Sequence, residues 1–326
     1  MIDRLGRKID YLRVSLTDRC NLRCQYCMPE KGVALKPHDE ILRLEEVAHL
    51  VRVAASIGIT RVRLTGGEPL IRRNLLQLIR EIDEIPGIND LSMTTNAQLL
   101  APMAQDLAAA GLDRINISLD TLRPERYHSI TRGGDLKRAL QGLDASLTAG
   151  FNPVKINCVA LRGFNDDEIS DFCQLAADLP IHVRFIEYMP IGGLGFWTKD
   201  RFLPLEEIRA MVERHVSLVP EVSDTGAGPA QTFAIQSGAG RIGFIASISS
   251  HFCAECNRLR LTADGKLRSC LHSSREIDVK TALRSDTSDQ GLAELFSQSV
   301  ASKPARHRLD EAVKGNEDRN MFEIGG

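Results

Sequence analysis

The 326-residue sequence predicts an α/β fold with a parallel sheet, on three observations. Strand-like segments alternate with helix-like segments through the first two thirds of the chain. The count stops at six strand–helix units, too few for a closed eight-stranded barrel. After about residue 195 the rhythm changes to short strands and loops. An open, partial barrel and a doubly wound sheet both satisfy this count, and both gather ligands at the carboxyl ends of the strands.

YLRVSLT (11–17) alternates with a strand period. LEEVAHLVRVAASIG (44–58) has helical spacing and stops at Gly58. RVRLT (61–65) is a short strand, followed by a helical stretch over about 72–83. DLSMTT (90–95), RINISL (114–119), VKINCVA (154–160) and HVRFIEY (182–188) continue the strand series. Helical stretches fall between them near 101–110, 135–149 and 166–178, punctuated by Gly or Pro. EEIRAMVERHV (206–216) predicts one more helix, and EVSDTGAGPAQ (221–231) a loop. TFAIQ (232–236), RIGFIAS (241–247), NRLRLT (257–262) and KLRSCL (266–271) follow as short strands, with Asp264-Gly265 as a hairpin turn. From about 285 the chain is polar, with a basic stretch KPARHR (303–308) before a tail ending Ile324-Gly325-Gly326. The domain expectation is a βα unit over 1–215 and a smaller α+β region over 216–326.

Composition narrows the function classes. A hydrophobic fraction of 43% suffices for a large core, and a net charge of −2 makes no electrostatic case for nucleic acid or an anionic membrane. No apolar run reaches membrane-spanning length, and no secretory signal is evident at the N-terminus. Eight cysteines in such a chain point to metal or redox chemistry rather than a disulfide framework, so a cytoplasmic location is expected. Cys158 and Cys173 lie in apolar contexts and are expected to be buried core residues.

The other six cysteines form two triples. Cys20, Cys24 and Cys27 make C-x3-C-x2-C directly after the first strand. Cys253, Cys256 and Cys270 make C-x2-C-x13-C near the end. Each triple is one thiolate short of a closed structural zinc site or a fully ligated cubane cluster, which leaves room for a non-protein ligand. The second triple also suits zinc, with His251 or His272 as fourth ligand.

Thr65-Gly66-Gly67-Glu68-Pro69 ends the second strand. It is either a tight glycine turn or a place where backbone carbonyls approach a ligand and a carboxylate receives an ammonium group. Arg13, Arg63, Lys155 and Arg184 each lie inside a predicted parallel strand, where both faces are normally apolar. Four on separate strands suggest a lumen that faces an anion. Arg258, Arg260 and Arg268 add to this set, and Arg258 and Arg260 share one strand face just after Cys256. Arginine and lysine donors suit phosphate oxygens.

The first cysteine motif, with an aromatic before its third Cys, resembles the radical S-adenosylmethionine (SAM) superfamily. With TGGEPLIR, VKINCVALRGFND, RFIEYMP, FCAECNRLRLTADGKLRSCL and the final Ile-Gly-Gly, the chain resembles the GTP 3′,8-cyclase family, which begins molybdenum cofactor synthesis. The resemblance implies an incomplete six-unit parallel βα barrel of radical SAM type, with the C-terminal region covering the open side. It implies two 4Fe–4S clusters, one on Cys20, Cys24 and Cys27 that binds SAM, and one on Cys253, Cys256 and Cys270 that holds the guanine of GTP. Tyr26, Gly67, Ser118 and Met189 match SAM contacts. Arg13, Arg63, Thr94, Lys155, Arg258, Leu259 and Arg260 match GTP contacts, and Arg184 and Arg268 join them on the electrostatic argument. Arg258, Arg260, Gly325 and Gly326 are the expected catalytic residues, the Gly-Gly tail reaching the active site. The implied reaction joins ribose C3′ to guanine C8, giving (8S)-3′,8-cyclo-7,8-dihydroguanosine 5′-triphosphate. Implied partners are an electron donor, a downstream cyclic pyranopterin monophosphate synthase and a second copy in a homodimer, with no nucleic acid and no membrane. The rival functions are a radical SAM peptide-modifying enzyme and a non-enzymatic zinc or electron-transfer protein.

Overall fold

Six parallel strands run β1 Tyr11–Ser15, β2 Arg61–Thr65, β3 Asp90–Thr95, β4 Arg114–Ser118, β5 Val154–Ala160 and β6 Ile181–Glu187 in a computed structural model of the chain. It describes residues 1–191, 195–196, 198–220, 229–250, 252–307 and 319–325. The connecting helices are α1 Leu44–Ser56, α2 Leu75–Asp83, α3 Ala104–Ala109, α4 Pro124–Thr131, α5 Leu136–Thr148 and α6 Ile169–Asp178. After α7 Leu205–Glu213 come short strands: β7 Leu218–Pro220, β8 Gln231–Ile235, β9 Arg241–Ile245, β10 Arg258–Leu261, β11 Lys266–Arg268 and β12 Ile277–Asp278. Helices α8 Val279–Arg284 and α9 Asp289–Ala301 close the series. Among the described residues, no helix is long and apolar enough to cross a membrane.

The strands form one sheet in the order β12-β11-β10-β1-β2-β3-β4-β5-β6-β9-β8-β7. Residues after 216 therefore join the six-strand unit by pairing at both of its edges. β10 runs parallel to β1 and β9 runs parallel to β6, so no break in the sheet marks the expected boundary at 215.

Strand periodicity sorts the side chains into two unlike faces. Leu12, Val14, Val62, Leu64, Ile115, Ile117, Val183 and Phe185 share the face packed under the helices and are essentially inaccessible. The helices present matching stripes: in α1, Val47, Leu50, Val51 and Ala54 recur at helical spacing and are buried. The alternate positions make the inner face. The register aligns Arg260, Arg13 and Arg63 with Ser92 and Arg114 across β10, β1, β2, β3 and β4. It aligns Thr94, Asn116, Lys155 and His182 across β3 to β6. A parallel sheet with one largely polar face encloses a lumen rather than a second apolar layer.

Helices α4, α8 and α9 lie outside the sequence expectation. The stretch after about 285 contains a helix, α9, which buries Leu292, Phe296 and Val300. Its fully buried stripe is narrow and polar residues are interspersed along it, so composition concealed it. Ser288 caps its first turn by accepting from Gly291 N, and His49 of α1 meets Asp289 at 2.6 Å.

Candidate active site

The first triple sits at the carboxyl end of β1. Cys27 N and Met28 N both donate to the Cys24 carbonyl, at 2.9 and 3.0 Å, which folds the loop into a turn. Arg23 N and Gln25 N donate to Thr131 and Ile130 carbonyls at the end of α4, and Arg132 Nη1 donates to Met28 O at 2.8 Å. The thiols are close enough to raise one another. Burial first, then neighbouring charge, pushes Cys20 up to about 11, Cys27 up to about 12 and Cys24 well above its ordinary value. Such thiols stay protonated unless a metal centre takes them as thiolates.

Gly66 and Gly67 serve this loop. A Cβ on Gly67 would stand 2.0 Å from the Arg19 carbonyl, so only glycine lets the end of β2 approach the cysteine loop. Gly67 N donates to Thr17 O and Glu68 N to Arg19 O. Glu68 does not present its carboxylate to a ligand, as the ammonium reading required. It is buried and accepts from Leu70 N, Thr95 Oγ1 and Asn96 N at 3.1, 2.7 and 2.8 Å, which ties β2 to β3.

Tyr26 lies across the same rim. Its hydroxyl donates to Asp120 Oδ2 at 2.5 Å, and its ring meets Tyr188 and Phe196 at centroid distances of 6.4 and 6.2 Å. Asp120 also accepts from Val159 N, and burial raises its carboxyl to about 6. Ser118 ends β4 and Met189 follows β6 by two residues, so all four expected SAM positions share the carboxyl rim. Asp120, one turn of chain beyond β4, was not anticipated; an acidic residue directly after a buried strand was its only signal.

The lumen below is a crowd of buried cations. Arg63 donates from Nε to Ser92 Oγ at 3.1 Å and stacks over Tyr11. Lys155 is pushed down to about 6 by burial, then by Arg184, Arg114 and Arg63. Arg184 and Arg260 are each lowered to about 9, and Arg13 well below its ordinary value, burial leading in every case. Arg184 Nε, Thr94 Oγ1, Asn116 Oδ1 and Asn157 Oδ1 are buried without hydrogen-bond partners. The orphaned donors Arg184 Nε and Thr94 Oγ1, set among mutually repelling cations, fit a polyanionic ligand.

Two expected residues take other places. Leu259 is fully buried in register with Leu12, on the apolar face, so its side chain points away from the lumen. Arg268 is 2% exposed and already engaged: Nη1 pairs with Glu276 at 2.5 Å and Nη2 donates to the Ser273 carbonyl. It holds the turn after Cys270.

The second triple occupies the opposite end of the lumen. Cys253 and Cys256 bracket a helical turn just before β10, whose start is level with the start of β1. The antiparallel β10–β11 hairpin, with Arg260 opposite Arg268, carries Cys270 back to that end, which explains the long x13 spacing. β1 alone, five residues long, separates the two ends by roughly 17 Å. The thiols again interact: burial and its two partners raise Cys253, whereas Arg258 and Lys303 outweigh burial and lower Cys256 to about 6. Burial pushes His272 down to about 3, and its ring meets His307 at 5.2 Å. His251 lies outside the described residues. Among the described residues, no three His, Cys, Asp or Glu side chains converge on a single metal ion.

The chain's end runs between the two triples. The Phe322 backbone acts on the Cys27 thiol, while Arg260 Nη1 donates to the Ile324 and Gly325 carbonyls at 3.1 and 2.8 Å. Gly326 lies outside the described residues.

Residues 14–176 match the radical SAM superfamily, and residues 181–309 match the family described as Molybdenum Cofactor Synthesis C. The GTP 3′,8-cyclase of Syntrophomonas wolfei is 52% identical over 326 residues, and that of Moorella thermoacetica 51%, each covering all of both chains. Among solved structures, Streptococcus suis SuiB bound to S-adenosylmethionine is similar at a TM-score of 0.61 and 15% identity. That likeness covers 97% of this chain and 77% of SuiB and concerns the fold alone.

Proposed function

We infer, for a chain that belongs to the GTP 3′,8-cyclase family of radical SAM enzymes, that it converts GTP to (8S)-3′,8-cyclo-7,8-dihydroguanosine 5′-triphosphate, the first step of molybdenum cofactor synthesis. The observation that carries this reading is a lumen of buried arginines and a lysine, with a three-thiol site at either end. The thiol chemistry fits iron–sulfur clusters: the three sulfurs of each triple act on one another, and among the described residues no fourth cysteine joins either triple. Cys20, Cys24 and Cys27 hold the first 4Fe–4S cluster, and Cys253, Cys256 and Cys270 the second. When bound, the clusters and SAM supply the electron, the hydrogen-abstracting radical and an iron site for the guanine.

The chain's own residues supply position. Tyr26, fixed by Asp120, together with Gly67, Ser118 and Met189, sets SAM against the carboxyl rim. Arg13, Arg63, Lys155, Arg184, Arg258 and Arg260 receive the triphosphate, and Thr94 completes its hydrogen bonds. With the base held at one end and the phosphates along the wall, ribose C3′ is presented to the rim, which selects the hydrogen removed. The tail through Ile324 and Gly325, held by Arg260, closes the lumen above the substrate and excludes water from the reactive species. The chain acts in the cytoplasm as a homodimer, draws electrons from a separate donor and passes its product to cyclic pyranopterin monophosphate synthase.

Anaerobic reconstitution should give about eight irons per chain, the content of two cubanes. Incubation with SAM, reductant and GTP should then release 5′-deoxyadenosine together with the cyclised triphosphate. Failure with GTP, but turnover of a peptide, would overturn the assignment.

A further inference from the structure

We propose that Lys303 is a positioning residue for the second cysteine triple: its buried ammonium ties together the segments that carry Cys256 and Cys270 and supplies the positive charge against which a cluster is held there. The proposal rests on the two-cluster reading above. Lys303 opens the basic stretch KPARHR, which the proposed catalytic cycle leaves unused.

Lys303 is 9% exposed and its Nζ donates to the carbonyls of Arg258 and Ser269, at 2.8 and 2.6 Å. Arg258 lies two residues after Cys256, and Ser269 immediately precedes Cys270. One ammonium therefore sets the spacing between two of the three sulfurs, which are distant in sequence. Among the described residues, no carboxylate pairs with Lys303, and its charge acts instead on the Cys256 and Cys270 thiols. A buried ammonium whose hydrogen-bond partners are two neutral carbonyls and the Cys256 thiol is costly unless an anion lies near. Three thiolates leave an oxidised cubane with a net negative charge, which is the missing partner. Groups that orient metal ligands from behind commonly control affinity and potential together.

Pro304, Ala305 and His307 close round the same triple. The Pro304 and Ala305 carbonyls accept from Arg7, whose Nη1 also donates to the Cys253 carbonyl at 2.7 Å, and Asp3 holds Arg7 at 2.6 Å. His307 meets the Ser247 carbonyl at 2.9 Å, and its backbone N–H acts on the Cys253 thiol. Lys303 is the member of this strap that carries its charge to the sulfurs.

The test compares the wild-type full-length chain with K303M and K303R after anaerobic reconstitution, without GTP. Iron is counted before and after a chelator challenge, and each cluster is titrated by electron paramagnetic resonance. Wild type and K303R should keep about eight irons. K303M should retain the second cluster about 10- to 100-fold more weakly. Any second cluster that remains in K303M should titrate at a more negative potential, because a stabilising positive charge is gone. Its first cluster should be unchanged, which shows that the chain is folded. The proposal is overturned if K303M keeps both clusters at wild-type potentials, if K303R behaves like K303M, or if K303M loses both clusters together. A wild-type chain with only about four irons would instead remove the two-cluster reading, and this proposal with it.

Discussion

Arg260 and Gly325 are joined by a hydrogen bond of 2.8 Å from guanidinium to carbonyl, so the C-terminus is fastened inside the lumen rather than frayed. Gly325 has φ +72°, and a Cβ there would stand 2.8 Å from Thr65 Cγ2. Substituting Gly325→Ala should cost about 1–3 kcal/mol in the closed tail through backbone strain and contact. GTP cyclisation should fall at least about tenfold, while the iron content stays at the wild-type level. Equal cyclisation rates would show that the closed tail is irrelevant to turnover.

Tyr26 owes its orientation to Asp120. In Asp120→Ala the buried phenol loses its acceptor, worth about 1–3 kcal/mol. SAM should bind about tenfold more weakly or worse by equilibrium titration, with the first cluster's absorbance intact. Unchanged SAM affinity would make the Tyr26–Asp120 bond a purely structural one.

Lys155 links substrate binding to pH. Its folded value of about 6 lies below the unfolded one, so between the two the unfolded chain binds more protons. The resulting instability of the apo enzyme is fully present below about 6 and is relieved as pH rises. Triphosphate favours the charged form and raises Lys155 in the complex. GTP binding at pH about 8 should therefore take up about one proton. Affinity should weaken with rising pH, by at most about tenfold per unit. Calorimetry in buffers of different ionisation enthalpy measures the uptake. It should vanish in Lys155→Met; a wild-type enthalpy independent of buffer would contradict the linkage.

Glu68 separates a structural role from a ligand-binding one. Glu68→Ala strands three donors, two of them buried, and the apo chain should lose at least about 2 kcal/mol in denaturant titration. A variant with wild-type apo stability and weakened SAM binding would restore the ammonium reading.

Much of the architecture was legible because local rules settle it. The six parallel strands lie within a residue or two of their expected spans, since β-branched runs bounded by turns leave few alternatives. Helix α9 escaped because its buried stripe of Leu292, Phe296 and Val300 is narrow, and only docking distinguishes it from a polar linker. Leu259 and Arg268 show the limit for sites. Both stand beside true lumen residues in sequence, yet strand pleat turns Leu259 away, and Glu276, eight residues further on, occupies Arg268.

The sequence by itself determined the chemistry of this protein: two cysteine triples, each lacking a fourth thiolate, and cations spaced along strands where apolar residues belong. Ligand type follows from donor type and spacing, which are local properties. Only the tertiary structure decided how these parts face one another. The parallel pairing of β10 with β1 sets the triples at opposite ends of one lumen, aligns Arg260, Arg13 and Arg63 on its wall, and leads Gly325 between them. That arrangement depends on pairing between residues nearly 250 positions apart, Tyr11 with Arg258, and no periodicity along the chain encodes the register of so distant a contact.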